Sequence, residues 1–284
     1  MSHLTAVRKS LPAGAWWVAS TCLAVLFLYP LYIMVSQSLK TPSEAAQAPP
    51  TLYPHRLSIQ NYQTLSHTGS VGFLQHVTNS VVVATGATLA TVILATLAGY
   101  GFSKLRFPGS DVVFFAILAT FMIPFQAIIT PLYSILHTLG LQNTLLGLAL
   151  VYTTFQLPFG IFLMRNSFAA LPNSLEEAAL IDGCGILKAM YRVLLPVAIP
   201  GLITTALFTF FTCWNEFFAA LILLTDESKF TLPVTLNILA ANSLGGLNWG
   251  VMQAGVAVTV IPCVILYLLL QRYYVNGLIS GAVK

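Results

Sequence analysis

The chain alternates between long apolar stretches and short polar ones. Six apolar stretches, at 16–36, 77–103, 112–136, 145–164, 198–224 and 251–270, match the length of about 20 helical residues that crosses a hydrocarbon core of roughly 30 Å. They run continuously rather than alternating over ten-residue segments, which selects α-helices over a β-barrel. Pro30, Pro124, Pro131, Pro158 and Pro262 fall inside them; prolines are tolerated at membrane depth where neighbours satisfy the freed carbonyls. The pattern predicts an all-α polytopic membrane protein with six transmembrane helices. Residues 1–15 precede a single transmembrane domain at 16–284, which carries a long polar loop at 165–197 and a polar tail at 271–284. The segment 37–76, rich in proline at Pro42, Pro49, Pro50 and Pro54, is expected to be irregular apart from a short helix near 60–65.

Composition sharpens this picture. Only 7% of the 284 residues are charged and 57% are hydrophobic, whereas soluble domains run about 25% charged. The bilayer must therefore serve as solvent. Arg8 and Lys9 followed by an apolar run resemble a signal peptide, but 16–36 is too long for its apolar region and no cleavage site follows, so it reads as a retained first span. Basic residues are too sparse for a nucleic-acid surface. Cys22, Cys184, Cys213 and Cys263 lack metal-ligand spacing and read as small hydrophobes. No catalytic set of side chains lies at membrane depth, and no Gly-rich phosphate loop with its lysine is present. With the N-terminus in the cytoplasm, nine of the twelve Lys and Arg residues lie on the inner side and three (Lys40, Arg56, Lys229) on the outer side. The positive-inside rule thus places both termini in the cytoplasm of a bacterial inner membrane.

The polar loop holds an acidic island, Ser174 to Gly183. Ser174 and Glu177 stand in the order of a capping box, with Glu176 and Glu177 in the first turn, where the helix dipole favours acids. Gly183 is placed to end the helix in the left-handed conformation. A second amphipathic helix follows, with Ile186, Leu187, Met190, Tyr191 and Leu194 on one stripe and Lys188 and Arg192 on another. Asp111 is expected to cap the third span.

Glu177-Ala178-Ala179, Gly183, Val193 and Leu195-Pro196 reproduce the spacing of the EAA loop in permease subunits of bacterial ABC importers, with Val193 replacing the usual isoleucine. Met122-Ile123-Pro124 with Pro131-Leu132-Tyr133, Trp214-Asn215-Glu216-Phe217, and the tail from Gln271 to Lys284 resemble the carbohydrate branch, specifically the maltose-type second, shorter permease. That resemblance implies a type I importer permease fold and sugar import. The expected partners are a second permease in a heterodimer, two ATPase subunits that bind ATP and magnesium, and an extracytoplasmic solute-binding protein; the chain itself carries no cofactor. It implies that Glu177, Ala178, Ala179, Asp182, Gly183, Leu195 and Pro196 couple to the ATPase. Glu216, the one ionisable residue well inside a span, either lines the solute path or makes a structural hydrogen bond to a neighbouring helix or subunit. Trp214, Asn215, Tyr152 and Gln156 complete a candidate substrate path, with Phe155 and Phe211 as further aromatics. The alternative is an ion-coupled secondary transporter, which needs a coupling-ion site at the midplane.

Overall fold

The computed structural model describes residues 13–241 and 248–282, with side chains as far as Gln271. Apart from turns and loops, the described residues form helices: α1 (Ala13–Ser38), α2 (Pro42–Ala45), α3 (Gln60–Ser66), α4 (Phe73–Lys104), α5 (Ser110–Thr120), α6 (Phe125–Thr138), α7 (Leu145–Ala169), α8 (Asn173–Ile181), α9 (Ile186–Val197, with a π-helical turn at Met190–Leu194), α10 (Ile199–Asn215), α11 (Phe218–Leu223), α12 (Leu232–Ala241) and α13 (Trp249–Ala282).

The helices α1, α4, α7 and α13 are each long and apolar enough to cross a bilayer. Pro30, Pro158 and Pro262 lie within α1, α7 and α13 without ending them. The expected span at 112–136 is instead two helices, α5 and α6, bent by 97°. Pro124 explains the break. It lacks a donor, disfavours helical geometry at Ile123, and sits extended at the start of α6. The expected span at 198–224 is also interrupted: α9 meets α10 at 80°, α10 ends at Asn215, and an extended Glu216 precedes α11. With each bent pair counted as one span, the total reaches six.

Two compact units emerge. One comprises the chain up to Thr68 with Ile238–Val260; the other comprises Gly69–Asn237 with the chain from Ile261 onward. In the first, the proline-rich segment is irregular between Ala45 and Gln60, as expected, yet it is tied down. Asn61, fully buried, donates from Nδ2 to the carbonyls of Ser38 (3.0 Å) and Lys40 (2.7 Å). Gly250 approaches so closely that a Cβ there would lie 2.5 Å from the Asn61 amide. Glu44 accepts the backbone N–H of His55 at 3.0 Å, its ring Nδ1 at 2.8 Å and the Thr51 hydroxyl at 3.2 Å. The His55 backbone bond, foremost among these, holds the Glu44 carboxyl below its usual value. The helix expected near 60–65 is α3, and α2 is an addition.

In the second unit α4 lies along α7, and α10 packs on both. Small residues set the spacing. A Cβ on Gly99 of α4 would lie 2.6 Å from Met164 Cβ and 2.7 Å from the Arg165 nitrogen on α7. One on Gly201 of α10 would lie 1.9 Å from Ser167 Oγ. At the start of α4, buried Asn79 donates to the carbonyls of Ser228 and Phe230, and Ser80 Oγ accepts the Leu232 N–H at 2.7 Å. These bonds anchor the loop before α12.

Interior overpacking costs about 1–3 kcal/mol. Gly99→Ala should therefore lower the melting temperature of the detergent-solubilised chain by several degrees. Gly86→Ala on the same helix, where a Cβ meets nothing within 4 Å, should leave it unchanged or raise it; differential scanning fluorimetry distinguishes the two.

Candidate functional site

The loop after α7 folds into a knob whose inner face belongs to the core. Met190 and Leu194 of α9, with Ala198, are buried in one cluster with Tyr100 of α4, Phe114 of α5, and Met164 and Phe168 of α7. Leu175 and Leu195 pack at its margin. Two polar clamps add direction. Lys104 Nζ donates to the Leu171 carbonyl and to Asn173 Oδ1, both at 2.8 Å, and the Tyr100 hydroxyl donates to Glu176 Oε1. The end of α4 thus grips the start of α8. Beside it, the Arg165 guanidinium sits 4.2 Å above the Phe114 ring and 3.5 Å from Asp111 Oδ1.

Several local expectations change. Asn173 is already helical and no side chain caps α8, so Ser174 and Glu177 form no capping box, and only Glu176 lies in the first turn. Pro172 occupies the N-cap position, so the helix starts at Asn173. Asp111 does not cap α5, which begins at Gly109 without a side-chain bond; it faces Arg165 instead. The stop at Gly183 holds: its φ is +79°, its N–H reaches the Leu180 carbonyl and that of Cys184 reaches Ala179, the paired bonds of a Schellman turn. The apolar stripe of α9 is wider than the core covers, so it divides. Met190 and Leu194 turn inward, whereas Leu187 and Tyr191 are 69% and 68% exposed and Ile181, at the end of α8, is 86% exposed.

The expected coupling residues divide in the same way. Glu177, Ala178, Asp182, Gly183 and Pro196 are exposed, Leu195 is half-buried, and Ala179 is buried. Ala179 therefore allows the knob to pack on itself rather than presenting itself outward. The tail that resembles the carbohydrate branch continues the helix of α13 as far as Ala282, and the 34 residues of that helix span about 51 Å at roughly 1.5 Å per residue. Its side chains from Arg272 onward, together with Val283 and Lys284, lie outside the described residues, as does the N-terminal stretch before Ala13.

A cavity of about 650 Å³ opens where the α5–α6 break, the middle of α7 and the α10–α11 break converge. Phe125, the first residue of α6, meets Phe155 of α7 at 4.5 Å and Phe218, the first residue of α11, at 6.1 Å between ring centroids, both edge to face. Glu216 sits in the α10–α11 break. Its carboxylate accepts the N–H groups of Ala219 (2.9 Å) and Ala220 (3.3 Å) at the start of α11, and the Tyr152 hydroxyl of α7 at 2.7 Å.

Of the expected path residues, Tyr152, Gln156 and Glu216 line this cavity together with Phe155. Trp214 and Asn215 do not. Trp214 is buried and stacked on Phe210, with 15° between the rings, and Asn215 donates to the Phe211 carbonyl of its own helix. Phe211 is also outside the cavity lining. Consecutive helical residues point about 100° apart, so Trp214 and Asn215 face different ways, and Glu216 leaves the helix altogether. Sequence reasoning missed the Tyr100, Lys104, Asn173 and Glu176 clamps. The one local signal was Tyr100 and Lys104 on one helical face at the end of an apolar run.

The profile of the family described as "Binding-protein-dependent transport system inner membrane component" matches residues 75–279. An inner membrane ABC transporter permease protein of Escherichia coli is 31% identical, covering 98% of this chain and 98% of its own length. The trehalose/maltose transport system permease protein of Thermococcus litoralis is 31% identical over 94% of this chain and 95% of its own. A chain from the crystal structure of a bacterial ABC transporter involved in the import of the acidic polysaccharide alginate superposes with a TM-score of 0.79 at 26% identity, covering 92% of this chain and 95% of that one. These matches displace the ion-coupled alternative. The chain belongs to the family of inner membrane components of binding-protein-dependent transport systems: it is a membrane-spanning ABC importer permease subunit and not an enzyme.

Proposed function

We propose that this subunit imports a carbohydrate, driven by ATP that other polypeptides bind and hydrolyse with magnesium. Its partners are a second permease, two ATPase subunits and an extracytoplasmic solute-binding protein, and both of its termini lie in the cytoplasm. The observation that carries the reading is the two-faced knob. Its inner face is fixed to the spans through Met190 and Leu194. Its outer face leaves Ala178, Ile181, Leu187 and Tyr191 exposed around Gly183. That arrangement suits a lever that an ATPase moves as one piece.

In the cycle, closure of the ATPase dimer displaces the knob, the spans tilt, and the cavity changes sides. Nucleotide and loaded binding protein drive the exchange only through their different affinities for the two states. The relatives named for trehalose/maltose and alginate transport support a carbohydrate as the solute.

In this reading Ala178→Asp or Leu187→Asp, introduced into the complete importer, reduces ATP-driven sugar uptake more than tenfold while membrane abundance of the chain is unchanged. A cysteine at Gly183 should crosslink to a copurified ATPase subunit, and a Gly183 cysteine that reaches no ATPase would sink the proposal. By contrast, Leu194→Ala should act through stability, at about 2–5 kcal/mol for a buried leucine, read as loss of folded chain.

A further inference from the structure

The hydrogen-bonding capacity left over in the cavity is one-sided. The hydroxyl of Thr154 donates to the Leu150 carbonyl at 2.9 Å, that of Thr212 to Phe208 at 2.9 Å and that of Thr120 to Ile117 at 2.6 Å, each within its own helix. The Tyr152 hydroxyl donates to Glu216. All four hydroxyl protons are thus committed, and these groups present only lone pairs to the cavity. Glu216 contributes further acceptor sites and a formal negative charge. Apart from the weak Cys213 thiol, the side-chain donors of the lining are the amides of Gln126 and Gln156, and Lys, Arg and His are absent from it. The rings of Phe125 and Phe155 border the same space.

Such a lining matches a ligand that brings its own donors. A neutral sugar carries an O–H at nearly every carbon and apolar C–H faces that suit aromatic rings. A uronate, sulfated or phosphorylated sugar replaces a hydroxyl donor with an anionic acceptor, so it would leave a cavity acceptor unpaired at that position and oppose the Glu216 carboxylate. Discrimination by unpaired buried polar groups is stronger than discrimination by shape.

We infer that this cavity is a sugar subsite selective for uncharged, hydroxyl-donating sugars, with Glu216, Tyr152, Thr154 and Thr212 acting as acceptors that reject anionic ones. The inference rests on the carbohydrate reading above and adds the class of sugar and the residues that choose it. It also sets this chain apart from its structural neighbour, whose transporter imports an acidic polysaccharide.

The test uses the complete permease assembly in nanodiscs without the binding protein, so that only the membrane subunits select. Saturation-transfer difference NMR is recorded with maltose, with trehalose and with a mannuronate disaccharide. At least one neutral disaccharide should bind about tenfold or more tightly than the uronate. Thr154→Val, which removes an acceptor while its hydroxyl bonds only its own helix, should weaken neutral binding severalfold at unchanged melting temperature. Glu216→Gln, which retains an oxygen for the α11 donors, should narrow the gap between neutral and acidic sugars. Equal or tighter uronate binding, no saturable binding of any probe, or an unaltered preference in both variants each overturns the inference. Crosslinking of Gly183 and ATP-driven uptake report separately on the importer reading, so either proposal can fail alone.

Discussion

A backbone donor freed inside a bilayer must find an acceptor within the protein, because lipid supplies none. The second unit meets this constraint differently at its two principal breaks. At the α5–α6 break the N–H groups of Phe121, Met122 and Ile123 turn back to the carbonyls of Leu118, Ala119 and Thr120, each at 3.1 Å, and Pro124 has no N–H to satisfy. At the α10–α11 break the freed donors of Ala219 and Ala220 are taken by the Glu216 carboxylate. A charged residue deep in a span costs on the order of 2.5–3.5 kcal/mol on insertion scales; three hydrogen-bonding groups from α7 and α11 offset that cost. The breaks lie where unbroken helices would leave no room, and the cavity is the space they open.

Stiffness is the second requirement, and it comes from close packing rather than from the polar clamps alone. Gly99 and Gly201 let α4, α7 and α10 approach to backbone distance, and Met190 and Leu194 extend the same interior into the loop. Displacement of the knob must then move these helices, because a densely packed interior shifts between arrangements and does not deform smoothly. The exposed Arg165–Asp111 pair contributes little on its own, since such pairs are worth about 0–1 kcal/mol; the stacking of Arg165 on Phe114 is its more specific contact.

How much was legible in the sequence depended on the range of the interaction. Apolar length located the spans, and Gly183 fixed the end of α8, because both are local properties. The prolines marked candidate breaks, yet nothing in the chain distinguished Pro124, which ends a helix, from Pro131 or Pro158, which do not; neighbouring helices decide whether freed groups are satisfied. The capping box failed because the helix begins at Asn173, after Pro172, which leaves Ser174 inside the first turn; the bond of Lys104, 69 residues away, to Asn173 was equally unreadable. Glu216 and Tyr152 were both identified as path residues, but their pairing across 64 positions was not readable, nor was the separation of Trp214 from Glu216 at a helix end. That Ala179, one of the expected coupling residues, would be buried was not legible, because the motif gives spacing and not orientation.

The two roles weighed for Glu216, lining the path and bonding a neighbouring helix, are compatible in one arrangement. The carboxylate that caps α11 and receives Tyr152 is also the charge facing the cavity. The break therefore cannot be closed without changing the lining, and the carboxylate cannot be removed without either freeing the α11 donors or keeping an oxygen in its place. A residue bound by both demands has few acceptable substitutes: glutamine keeps an acceptor and loses the charge, alanine loses both, and aspartate is one methylene too short to span from the break to Tyr152 without moving α7.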